Sequence, residues 1–147
     1  KSGARLMSLR HPENKMSKSS DDINGTIYFN DKKDNILKKF KSSVTDSENI
    51  VRYDPKNKPG ISNLIEIYAA VNDKEISDTE KEFENSQYGE FKLAVAETVI
   101  DYLDPIKKNF DDLTSENLED IVVSNLKSAK DSAQKTIIEV EEALGIS

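Results

Sequence analysis

The sequence predicts an all-α protein: a helical bundle preceded by one short strand and a polar loop that carries lysines. Beyond residue 31 the apolar side chains recur every three or four residues. Helix punctuation separates these stretches, with Pro59 before one stripe, "SDTE" (Ser77 to Glu80) before another and Gly145 after the last. Strand signal is confined to "GARLMSL" near the amino end and "TIYFN" at Thr26 to Asn30.

Taken in order, "GARLMSL" reads as a short strand or an extended entry to the loop, with Leu6 and Met7 at its apolar centre. Arg10 to Gly25 is a surface loop with Pro12, several serines and an Asn-Gly turn, and little to pin it down. "TIYFN" reads as extended. Asp31 or Asp34 caps a first helix through Ile36, Leu37, Phe40 and Val44 that ends near "TDSE" (Thr45 to Glu48), its other face carrying Lys38, Lys39 and Lys41. Pro59 opens a second helix with Ile61, Leu64, Ile65, Tyr68 and Val71 on one stripe.

The "SDTE" capping box opens a short third helix that fades near Asn85. A long helix follows "YG", with apolar positions recurring from Phe91 to Phe110 and a kink expected near Asp104 because Pro105 lies inside it. The last helical region, one helix or two, starts at Ser115 or Asn117, carries Leu118, Ile121, Val122, Leu126, Ile137, Val140 and Leu144, and stops at Gly145.

A chain of 147 residues is the length of one ordinary domain and buries a core without disulfides. It has no cysteine, which excludes disulfide frameworks, thiolate zinc sites, iron–sulfur ligation and thiol nucleophiles. His11, the one histidine, precedes Pro12 and reads as an exposed turn residue rather than a base. No apolar run is long enough for a membrane span and no secretory signal is evident, so a cytoplasmic setting is expected.

Net charge is −7, unevenly spread. Residues 1–60 carry 13 Lys and Arg against 8 Asp and Glu, and residues 61–147 carry 8 against 20. A polyanion is therefore met by the first part of the chain.

Within that part, "KMSKS" places Lys15 and Lys18 among serine hydroxyls and backbone N–H groups, a combination suited to one compact phosphate or pyrophosphate. Five specified positions, one a methionine, arise together by chance in a chain this size only roughly a few times in ten thousand.

The string resembles the signature loop of class I aminoacyl-tRNA synthetases. "GARLMSL" upstream, then "TDSE", "RYDP" (Arg52 to Pro55), "NKPGISNLIEIY" (Asn57 to Tyr68) and "YGEFK" (Tyr88 to Lys92), are similar in order and spacing to the C-terminal half of bacterial tryptophanyl-tRNA synthetases. Tyrosyl-tRNA synthetases share the general fold, but "RYDPKNKPGISNL" and the stop at "ALGIS" favour the tryptophan branch. The family's His-x-Gly-His motif, tryptophan pocket and Rossmann-type catalytic domain have no counterpart here, so the chain is expected to be a fragment. The resemblance divides it into residues 1–30, the end of the catalytic domain with the loop, and residues 31–147, a C-terminal helical domain whose last helix spans about 117–144.

In the family, tryptophan's carboxylate attacks the α-phosphate of ATP, held as its magnesium complex, and the activated tryptophan passes to tRNA(Trp). The resemblance implies that Lys18 stabilises charge on the β- and γ-phosphates with Lys15 as its partner. It puts Met16 near the adenosine and gives Ser17 and Ser19 phosphate contacts. Arg5 is a candidate for positioning the nucleotide, against an ordinary surface role. Tryptophan would be bound through the missing N-terminal half, and the intact enzyme would be a homodimer, with no membrane partner.

The helical part resembles the region that recognises the anticodon stem. Lys38, Lys39, Lys41, Lys56 and Lys58 are candidates for phosphate contacts there, against simple solvation, and Tyr53 and Tyr88 are expected to pack rather than stack on bases. Asp46, Glu48 and Asp54 are read as caps and loop braces, not as acid and base. The last helix is expected to pack partly on the missing domain, so that the chain alone self-associates. The competing reading is a noncatalytic helical module that binds tRNA or a protein.

Overall fold

Five apolar stripes become five helices in a computed structural model that describes residues 5–113 and 115–146, without the side chains of residues 115–117. They are α1 (Lys33–Lys41), α2 (Pro59–Val71), α3 (Ile76–Glu82), α4 (Tyr88–Asp111) and α5 (Ser115–Leu144). The chain divides into two compact units, the first ending at Lys107 and the second beginning at Lys108.

The first unit is organised on α2, which is buried on most of its circumference. Ile61, Leu64, Ile65 and Tyr68 meet Ile36 and Phe40 of α1 and Phe91, Val95 and Val99 of α4, with Leu9 and Val51 added from the connections. Tyr68, Phe83 and Phe91 form an aromatic cluster, with Phe83 edge-on to Tyr68 at 5.0 Å and 4.7 Å from Phe91. Pro59 stands at the first turn of α2, as its fixed φ and missing N–H favour. At Gly60 the helix passes so close to the preceding connection that a Cβ would lie 2.0 Å from the Val44 carbonyl oxygen.

Several expected boundaries are displaced by tertiary hydrogen bonds. Among the described residues there is no strand; "GARLMSL" contributes one antiparallel bridge, Met7 to Lys15. Of "TIYFN", expected to be extended, Phe29 and Asn30 form a turn. α1 begins after Lys32 with no side-chain cap. Asp31 instead accepts from the Tyr28 N–H at 2.8 Å and from Lys39. The helix stops at Lys41, short of Val44, because the Val44 N–H turns away to the Leu9 carbonyl at 2.8 Å. α3 starts at Ile76, so Ser77 lies inside it and the capping box is not formed.

The connection between α1 and α2 is braced by Lys58, whose side chain is only 1% exposed. Its ammonium donates to Asp46 at 2.9 Å, to Glu48 at 2.7 Å and to the Tyr88 hydroxyl at 3.1 Å. Tyr88 in turn donates to Asp46 at 2.8 Å. Burial pushes the Asp46 carboxyl up, but the bonds from Lys58, Tyr88 and the Glu48 N–H outweigh it and hold it at about 2. Burial likewise opposes the charge on Lys58, and its three oxygen partners leave its pKa raised. Asp54 accepts from Asn57 at 2.8 Å. Asp46 and Asp54 thus brace loops, as the sequence suggests.

α4 continues through Pro105 without ending there. In the second unit, α5 is one helix that presents Leu126, Ile137, Val140 and Leu144 among its exposed side chains. It closes with Gly145 at φ 67°, whose N–H bonds the Glu142 carbonyl while that of Ile146 bonds Glu141. This is a Schellman ending, as Gly145 predicts.

Candidate nucleotide-binding loop

The loop starts from that single antiparallel bridge between Met7 and Lys15. The Met16 N–H bonds the Leu6 carbonyl at 3.0 Å and the Ser8 N–H bonds Asn14 at 2.8 Å, leaving the N–H and C=O of Met7 on the opposite edge. Both are taken by Asn63 of α2: its Oδ1 accepts from the Met7 N–H at 3.0 Å and its Nδ2 donates to the Met7 carbonyl at 2.9 Å. A buried side-chain amide thus stands where the next strand of a sheet would lie.

Beyond Met16 the chain is pinned by short local bonds rather than left loose, as its composition had suggested. The Ser17 and Ser19 hydroxyls lie 3.0 Å apart, and the Ser19 N–H reaches the Ser17 hydroxyl at 3.3 Å. The Asp22 N–H bonds Ser20 at 3.2 Å and the Asn24 N–H bonds Asp22 at 3.0 Å, each a side-chain-closed turn. Gly25 then brings the chain back against Ser8, whose hydroxyl would be 2.3 Å from a Cβ there. His11 is exposed in the first turn, 3.4 Å from Glu13.

The return places Thr26 and Ile27 opposite the loop and creates a cleft of about 310 Å³, lined also by Arg5, Leu6, Lys15, Met16, Ser17 and Lys18. Three cations, Arg5, Lys15 and Lys18, thus share the lining with apolar Leu6, Met16 and Ile27. Such a surface suits a ligand with a flat apolar end and a multiply charged anionic end, and the volume is in the range of small-molecule sites. Four of the five loop residues expected in the site therefore share one cleft, together with Arg5; Ser19 does not line it and reaches it through its bond to Ser17. Leu6, Thr26 and Ile27 are the lining residues that sequence reasoning missed: Leu6 reads only as the apolar centre of the entry segment and "TIYFN" only as an extended stretch, and Gly25 was the available signal that the chain turns back.

Two of the five candidate phosphate-contacting lysines are committed elsewhere. Lys58 is buried in the network with Asp46, and Lys39 is buried against Asp31 at 2.6 Å, the Thr26 carbonyl at 2.8 Å and the Tyr28 ring. Lys38, Lys41 and Lys56 are exposed. Tyr88 is buried, and Tyr53 is partly buried with its hydroxyl on Glu66 at 2.7 Å, which with burial raises its pKa to about 12. Both tyrosines pack, as expected. Among the described residues no group of three or more His, Asp or Glu is placed to hold a metal ion, and no helix is long and apolar enough to cross a membrane.

Residues 3–104 match the family described as tRNA synthetases class I (W and Y), and the chain belongs to that family. Similar curated proteins include tryptophan–tRNA ligases. That of Oceanobacillus iheyensis is 45% identical over 99% of this chain and 45% of its own length. That of Bacillus subtilis is 42% identical over 99% of this chain and 44% of its own length. The crystal structure of tryptophanyl-tRNA synthetase from Mycoplasma pneumoniae superimposes with a TM-score of 0.84 at 28% identity, covering 97% of this chain and 44% of that one. The chain spans less than half the length of these relatives.

Proposed function

We propose that this chain is the C-terminal part of a tryptophan–tRNA ligase and supplies the loop that stabilises the pyrophosphate released from ATP. The observation that carries this reading is that Lys15 and Lys18, within a "KMSKS" string, line one cleft together with Leu6, Met16 and Ile27. Tryptophan and its attacking carboxylate are placed by residues beyond this chain, and magnesium arrives with ATP as part of the substrate. The parent protein acts in the cytoplasm, as a homodimer, on tRNA(Trp).

As the bond to the α-phosphate breaks, negative charge grows on the departing pyrophosphate. An ammonium that approaches only then stabilises the transition state more than the ground state. At about 4 Å and an effective dielectric near 20, one such pair contributes on the order of 4 kcal/mol before desolvation, leaving about a hundredfold in rate. Lys18 meets the β- and γ-phosphates, Lys15 supports it, and Met16 lies against the adenosine. The Ser17 and Ser19 hydroxyls, bonded to each other in this structure, exchange that bond for phosphate oxygens. Exposed Lys38, Lys41 and Lys56 remain for tRNA phosphates.

Tryptophan-dependent ATP–pyrophosphate exchange tests the reading. The chain alone is expected to be inactive, and adding the N-terminal half is expected to restore exchange. No exchange in the combined protein would leave a noncatalytic module that binds tRNA or a protein.

A further inference from the structure

The buried Lys39 does something for the loop that its place on α1 does not advertise. Its ammonium, with a side chain only 8% exposed, donates to the Thr26 carbonyl at 2.8 Å and is held there by Asp31 at 2.6 Å. The ammonium also lies over the Tyr28 ring, 4.8 Å from its centroid. Thr26 is itself buried, at 4% exposure, and its hydroxyl donates to the Ser17 carbonyl at 3.0 Å.

That carbonyl belongs to the peptide bond joining Ser17 to Lys18. Because the peptide unit is planar, the direction of the Lys18 N–H and the position of its Cα follow the orientation of that carbonyl, which Thr26 holds together with the Ser20 N–H at 3.3 Å. We propose that Thr26, seated by Lys39, is a positioning residue that aims Lys18 into the cleft. The proposal rests on the functional reading above. It assigns Thr26 no contact with reacting atoms: the threonine acts through the peptide it holds.

The relay has a chemical signature. It is the hydroxyl of Thr26 that bonds Ser17, so Thr26→Val keeps the shape and removes that bond, whereas Thr26→Ser keeps it. A misaimed Lys18 weakens contacts made in the transition state and leaves the ATP ground state almost untouched.

The test is tryptophan-dependent ATP–pyrophosphate exchange by the full-length protein carrying Thr26→Val or Thr26→Ser, with thermal melting of each. Thr26→Val is expected to lower kcat about tenfold with KM for ATP within about twofold, and Thr26→Ser to restore most of the loss. As a second arm, Thr26→Val in a Lys18→Ala background is expected to lower kcat no further, since there is no ammonium left to aim. Equal kcat in wild type and Thr26→Val, a loss that Ser does not restore, or a loss persisting undiminished without Lys18 would each overturn the inference. Absence of exchange in the wild-type protein would instead overturn the functional reading.

Discussion

Replacing Lys58 by methionine keeps the length of the stem and removes the ammonium that three oxygens share. Breaking a buried pair from one side typically costs about 3–5 kcal/mol, because the partner is left charged and unpaired. Here Asp46 is 22% exposed and Glu48 is 56% exposed, so both regain some water. Asp46 also keeps the hydroxyl of Tyr88. The expected loss is therefore about 2–3 kcal/mol in equilibrium urea unfolding at neutral pH.

A pH series gives the same network a second readout. Asp46 is lowered from 3.8 to about 2 on folding, against the pull of burial. A depressed carboxyl contributes stability that is present above its unfolded value and is lost as pH falls through the folded one, so the wild type should lose about 2 kcal/mol between about pH 4 and pH 2 from this group. Lys58→Met should flatten that part of the profile. A variant within about 0.5 kcal/mol of wild type at neutral pH, with the same acid profile, would refute the assignment of Lys58 as the brace of this connection.

Gly60→Ala should cost about 2 kcal/mol or more in the same unfolding assay, because the new methyl meets a main-chain oxygen at 2.0 Å and not a side chain that can swing away; a neutral effect would show that the connection near Val44 yields freely. The 147-residue chain alone should self-associate and bind an apolar dye, since Leu126, Ile137, Val140 and Leu144 of α5 are all about half or more exposed. Light scattering showing a dye-free monomer would contradict this.

The parts legible in the sequence are those decided by neighbours along the chain. Pro59 announces α2 and Gly145 ends α5, because an N1 proline and a left-handed C′ glycine act within one helical turn. The loop string was legible because five residue types had to coincide. What stayed hidden was decided across space. Asp31 and Ser77 both look like helix caps, yet Asp31 serves Lys39 and α3 starts one residue ahead of Ser77.

Lys39 and Lys58 were hidden in another way. Nothing local separates them from Lys38 and Lys56, and they are inside only because Asp31 and Asp46 arrive to meet them. The extended segment around Met7 was legible in its residue types, but its outer edge is filled by Asn63, 56 residues away, so pairing ends at a bridge.

The measurement that bears most directly on the account is adenylate formation by the full-length protein with Lys18→Ala, read beside tryptophan binding. A fall of about a hundredfold in the activation rate, with tryptophan affinity within about twofold, is the predicted result. Equal losses in both would mean that Lys18 holds substrate without favouring the transition state, and an unchanged rate would remove the loop from the chemistry.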